Sequence, residues 1–112
     1  MSKKYLRKNE FRIDINPIHL GKSKKPHPAY ISAKCGHKYK ANSITHSRTI
    51  NGIVNFDVFE NPDKRSKDTK RKTRVSAPYW QNENQFGDKL NTFRFSRKTR
   101  NQIKKFNKKF YK

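Results

Sequence analysis

The chain holds one cysteine, one methionine, one tryptophan and four glycines in 112 residues, and only eight residues carry a negative charge. A lone cysteine, Cys35, excludes an intramolecular disulfide and any zinc site built from several cysteines. Its neighbours Lys34, Gly36 and His37 read as a turn, with no orienting base or acid beside the thiol in sequence. No apolar run is long enough for a signal peptide or a membrane span, and Met1-Ser2-Lys3 is not a myristoylation signal. A soluble, cytoplasmic chain with no membrane role is the expectation. Apolar residues make up only 30% of the total, which leaves a thin core for a single domain.

Low hydrophobicity joined to high net charge is also a mark of disorder. Eight Phe, five Tyr and one Trp argue otherwise, because disordered segments are poor in aromatics and these are grouped in short alternating runs. The net charge of +21, from 29 Lys and Arg, needs a counter-charge. Nucleic acid supplies one, since Lys and Arg release condensed counterions from phosphates without reading sequence. An acidic protein surface is the rival partner.

Along the chain, residues 1–9 form a basic tail. Phe11, Ile13 and Ile15 alternate with Arg12 and Asp14, the period of a half-buried strand that Pro17 ends. A loop rich in breakers follows, carrying Lys22, Lys24 and Lys25. Ala29 to Ala33 and Tyr39 to Ile44 read as a hairpin, with three to five residues around Gly36-His37 in its turn. Asn51-Gly52 is a turn pair, and Ile53 to Phe59 a strand with Val54, Phe56 and Val58 on one face. From Lys64 to Arg74 seven of eleven residues are basic and none is apolar. Lys64, Arg65, Lys67, Lys70, Arg71, Lys72 and Arg74 therefore define a mobile basic loop at 64–74 suited to phosphates. Val75 to Trp80 docks on the core, with Pro78 confining it to an edge. Leu90 to Phe95 is short enough for a last strand, which closes a β-rich domain at 10–95.

Ser96 is an N-cap, and residues 96–112 are helical. Thr99, Ile103, Phe106 and Phe110 repeat at helical spacing as one apolar stripe. Arg97, Lys98, Arg100, Lys104, Lys105 and Lys108 fill the rest of the surface and are candidates for phosphate contact. Tyr30, Tyr39, Tyr79 and Trp80 are candidates for base stacking, against the simpler role of core residues.

Cutting RNA by its own 2′-hydroxyl needs a base, an acid and a cation near the phosphate. Imidazole suits the first two roles. In an antiparallel hairpin the start of one strand lies beside the end of the next, so His27 approaches Thr45 and His46, with Lys25 and Arg48 at the same edge. The competing reading makes His27 a turn residue between prolines and His46 the end of a strand. No second histidine or carboxylate sits at ligand spacing, so neither metal nor cofactor is expected.

A basic Gly/Pro loop, a strand opening Pro28-Ala29-Tyr30-Ile31-Ser32 and a strand ending Ile44-Thr45-His46-Ser47 resemble the PemK/MazF family of toxins over Lys25 to Ser47. The resemblance implies an SH3-like barrel, an acidic antitoxin partner and metal-independent, sequence-selective cleavage of single-stranded RNA. It also implies a role for an arginine in the loop and a Ser or Thr at the strand end. Thr45 meets the second requirement; the loop offers lysines and no arginine. The stretch beyond Gln81 has no counterpart in the family.

The expected fold is mainly β, either a small SH3-like barrel or a five-stranded open antiparallel sheet, with a C-terminal basic amphipathic helix. The expected function is nucleic-acid binding, RNA ahead of DNA, with His27, Thr45 and His46 as the catalytic set of an endoribonuclease. Two alternatives stand beside it. One is a non-enzymatic ribosome-associated or mobile-element protein that binds RNA or DNA by charge. The other is an inhibitor or structural protein docking on an acidic partner.

Overall fold

The computed structural model describes residues 9–15, 26–50, 52–64 and 73–110. In chain order the elements are β1 (Phe11–Asp14), β2 (His27–Cys35), β3 (Lys38–Thr45), β4 (Thr49–Ile50), β5 (Ile53–Val54), β6 (Phe56–Val58), β7 (Thr73–Val75), β8 (Tyr79–Asn82), a 3-10 turn (Glu83–Gln85), β9 (Phe86–Lys89) and α1 (Arg97–Asn107). The described residues are mainly β, with a multi-stranded antiparallel sheet and one α-helix among them.

The β2–β3 hairpin is its centre. Gly36 and His37 alone make the turn, tighter than expected, because Gly36 adopts φ 62. A glycine in that left-handed region lets a two-residue loop follow the twist of its strands. The register runs from Ala29↔Ser43 to Ile31↔Ala41 and then shifts, so that Ala33 faces Lys40. Ser32 is the extra residue of a bulge, and its hydroxyl donates to the Lys40 carbonyl at 3.1 Å.

The strand order is β6-β7-β3-β2-β1-β9, with β8 also paired to β3. Two strands therefore share one edge of β3: β7 takes its C-terminal end and β8 its N-terminal half. Ser76 to Pro78 bridges them, and the Ser76 N–H donates to the Ser43 carbonyl at 2.9 Å. Pro78 sits in that break, where no ladder donor is needed, and β8 is an edge strand as its proline foretold. β8 and β9 lie at opposite edges yet follow one another through the 3-10 turn, so the sheet curls on itself without closing.

Both faces of the hairpin are covered. On one, Phe11, Tyr30, Ile44, Val58, Val75 and Phe95 pack with Ile103 and Phe106 of α1. On the other, Ala29, Ile31, Tyr39, Ala41 and Phe86 pack with Tyr79. Burying Ile103 and Phe106 contributes about 1.5–3 kcal/mol each toward holding the helix on the sheet. Asn42 and Asn107 add a buried amide pair, bonded at 2.8 and 3.2 Å, and Asn42 Nδ2 also donates to the Ser76 carbonyl at 2.8 Å.

At the start of α1 the Thr99 N–H donates to Ser96 Oγ at 3.3 Å, the expected cap. The first turn carries no acidic residue; Glu60, from the segment after β6, accepts the Ser96 N–H at 2.7 Å and brings a negative charge to the positive end of the helix. Burial pushes the Glu60 carboxyl up, but the Ser96 N–H, the hydroxyls of Thr99 and Ser96, and Lys64 outweigh it and hold it below its ordinary value.

Four expectations are corrected. The strand from Ile53 to Phe59 divides at Asn55, which is buried, while Val54 and Phe59 are exposed. Leu90 to Phe95 is a turn with a single bridge, Asp63↔Phe93, and the strand is β9 just before it. The ends of the 64–74 stretch are not loop: Thr73 and Arg74 belong to β7, and the Lys64 N–H donates to the Thr92 carbonyl at 3.1 Å; residues 65–72 lie outside the described residues. The helix ends at Asn107, and Phe110 follows in a turn.

Candidate nucleic-acid interface and hairpin edge

The hairpin edge assembles from three strands. Continuing the Ala29↔Ser43 register puts His27 opposite Thr45, and His27 Nε2 bonds to the Ile44 carbonyl. A carbonyl can only accept, so in the neutral ring Nε2 carries the proton and Nδ1 is the basic atom. On its other side Thr45 pairs with Arg74. The Arg74 guanidinium is half-buried; Nε donates to Asp57 Oδ1 at 2.8 Å and Nη1 to the His46 carbonyl at 2.6 Å. Thr45 Oγ1 accepts the Ser47 N–H at 3.1 Å.

Base, hydroxyl and cation thus meet at one end of the hairpin, and the cation is one the sequence assigned to a mobile arm. Strand pairing across a long connection placed it there, and only the Thr73–Val75 alternation hinted at a strand. His46 is exposed on the bend after β3 and is held by its backbone carbonyl. Arg48, also exposed, lies two residues further on. Lys22, Lys24 and Lys25 fall outside the described residues.

A second basic feature runs along α1. A groove of about 400 Å³ separates the helix from β2 and β3. Arg97, Arg100, Lys104 and Lys108 share the helix face that lines it, and Lys40 comes from β3. Tyr30, Ser32 and Ala33 also line it, the last two being small residues at the bulge. Arg100 Nε is buried with no hydrogen-bond partner, a cationic donor in want of an anion. The Tyr30 hydroxyl donates to Asn9 Oδ1 at 2.5 Å; burial pushes it up to about 12 against the opposing charge of Arg100.

Lys98 and Lys105 are exposed and do not line the groove. Lys64 is committed to Glu60 at 3.4 Å and to the Asn61 carbonyl at 3.0 Å. Arg65, Lys67, Lys70, Arg71 and Lys72 fall outside the described residues. Lys40 was missed, although Lys38-Tyr39-Lys40 alternates around a buried tyrosine.

Of the stacking candidates, Tyr30 and Tyr39 are core residues. Tyr79 is half-buried and donates to Asp14 Oδ2 at 2.8 Å; burial, then the Asp14 charge, pushes its hydroxyl up. Trp80 is 39% exposed, with Lys40 Nζ 5.9 Å from its ring centre. No family model, curated protein or solved structure matches the chain.

Proposed function

We propose that this is a nucleic-acid-binding protein, of RNA ahead of DNA, built on an SH3-like sheet. The observation that carries the reading is the α1 groove: four cations on one helix face, Lys40 opposite and a buried Arg100 Nε without a partner. Such a channel suits a phosphate chain. Asn101, an exposed amide residue on the groove's lining, suits 2′-hydroxyls, which distinguish RNA. The strand order β9-β1-β2-β3-β8, with a 3-10 turn joining β8 to β9, supports the SH3-like assignment.

The test is anisotropy of a labelled single-stranded RNA across 50–200 mM salt. Log affinity falls linearly with log salt, and Arg97→Gln with Lys104→Gln flattens the slope by about 0.7 for each lost contact. An unchanged slope overturns the groove as the binding surface. Binding that persists only to an acidic protein, and survives nuclease, favours the docking alternative.

A second reading rests on a separate observation, the meeting of His27, Thr45 and Arg74 at the hairpin edge. It makes the protein a metal-independent endoribonuclease of the PemK/MazF-like kind. His27 Nδ1 removes the 2′-hydroxyl proton, the oxygen attacks phosphorus, and the 5′-oxygen leaves with a proton from His46. Arg74 balances the charge on the phosphate, and a 2′,3′-cyclic phosphate remains. Cleavage then survives EDTA, stops on RNA blocked at the 2′-hydroxyl, and falls about a hundredfold in His27→Ala and in His46→Ala. Intact RNA held tightly by wild-type protein leaves the charge-driven binder.

A further inference from the structure

A cleft on the far side of α1 from the groove is lined by Arg48, Asn55, Phe59, Arg74, Lys109 and Phe110, with Phe56 and Phe106 behind them. Its volume is about 620 Å³, within the range of small-ligand sites. Three features set it apart from an ordinary surface hollow. Phe59 is 84% exposed and Phe110 38%, and the two rings line one cleft, where grouped apolar exposure marks an interaction site. The Phe110 ring is backed edge-on by Phe106 at 5.1 Å, and Phe106 stacks on Phe56 at 5.2 Å. Asn55 is 5% exposed and gives Nδ2 to the Ser47 carbonyl, yet its Oδ1 has no partner.

Aromatic faces, a surplus of cations and one unanswered acceptor ask for a flat ring bearing an N–H and attached to a negative charge. We infer that this cleft holds one unpaired nucleobase of a bound single strand. Its ring stacks on Phe110 opposite Phe59, an N–H of its edge donates to Asn55 Oδ1, and its phosphate meets Arg48 and Lys109. A second copy of this chain fits poorly, because it also carries +21 and would bring cations against cations. Among the described residues the cleft has one carboxylate, Asp57, which is already bonded to Arg74, so the rim stays positive.

Arg74 also reaches the His46 carbonyl, which sets the cleft beside the hairpin edge. A base held here fixes which phosphate lies at that edge, and the cleft becomes the specificity pocket of the protein. The inference rests on the nucleic-acid reading above and deepens it.

An eight-nucleotide single-stranded RNA carrying one 2-aminopurine reports stacking by loss of fluorescence. Saturable quenching is expected with wild-type protein, and an oligomer abasic at that position competes weakly. Phe110→Ala lies beyond the helix and outside the buried core, so the fold persists; affinity falls about five- to a hundredfold and quenching is lost. Lys109→Gln weakens binding but keeps the quenching. Replacing the probe base by unsubstituted purine, which has no N–H on its ring edge, weakens competition severalfold. An oligomer that binds while 2-aminopurine stays bright, or binds Phe110→Ala as well as wild type, overturns the pocket and leaves the groove reading intact. Failure of wild type to bind any oligomer overturns both.

Discussion

Replacing Asn107 by leucine should separate the helix from the sheet in a measurable way. Asn107 and Asn42 are both buried and exchange two bonds, at 2.8 and 3.2 Å. Leucine has a similar reach and a better helix propensity, so local strain is small. Its cost comes from Asn42, whose Oδ1 loses the donor it had and stays buried. An unsatisfied buried amide group costs about 1–3 kcal/mol. Propensity returns a few tenths, which leaves a net loss of about 2 kcal/mol. For a domain of this size that lowers Tm by about 8–10 °C. The informative comparison is with Asn42→Leu and with the double variant. Two facing leucines carry no stranded polar atom between them, so the double variant should be more stable than the sum of the singles by about 1 kcal/mol or more. It should not reach wild type, because the Ser76 carbonyl also loses the Asn42 donor. Thermal melts by circular dichroism and urea titrations of all four proteins read this directly. A double variant additive to within about 0.5 kcal/mol refutes the pairing as the anchor of the helix.

Glu60 sits below its ordinary value, so the stability it adds is present above the usual carboxylate range and fades as pH falls through that lowered value. Wild type should therefore exceed Glu60→Gln by about 0.5 kcal/mol at neutral pH and converge with it in acid; a gap constant down to strongly acidic pH counts against the helix-end contact. Tyr79→Phe removes the donor to a buried Asp14 carboxylate and should cost about 1–3 kcal/mol in calorimetry, while Tyr79→Phe in an Asp14→Asn background should cost less. Exchanging residues 65–72 for a Gly-Ser linker of equal length should leave Tm within a few degrees and weaken RNA binding, with a flatter salt slope; a collapse in Tm shows that the segment is part of the sheet.

The hairpin, its two bounding histidines, the Ser96 cap and the Thr99-Ile103-Phe106 stripe were legible because each is a local pattern. What was not legible is what neighbours decide. Ala29, Tyr30 and Ile31 are buried in succession, since two cores cover the two faces and alternation carries no inside–outside contrast. β9 has one buried side chain, Phe86, in Phe-Gly-Asp-Lys, too little for a periodic signal; pairing with β1 makes it a strand. Arg74 looks like one more charge in a basic run until β3 and β6 pair on either side of it. Asn107 replaces an apolar residue on the buried helix face because Asn42 faces it from the sheet. The candidate site was half visible for the same reason: His27 and Thr45 belong to one hairpin, whereas Arg74 and the aromatic cleft come from distant segments.

The bulge at Ser32 has a use as a tool. It brings two of the smallest side chains, Ser32 and Ala33, to the floor of the α1 groove where a regular strand would bring one. Depth there is set by side-chain volume and not by charge, so shape can be altered while every cation stays in place. Ala33→Leu would raise the floor under Arg100 and Lys104 without touching either, and neither the long-range field nor the encounter rate with RNA should change. A ligand drawn by charge alone would continue to bind, and one that must enter the groove would leave faster. The bulge thus separates attraction from fit, two properties that are ordinarily entangled in a protein this basic.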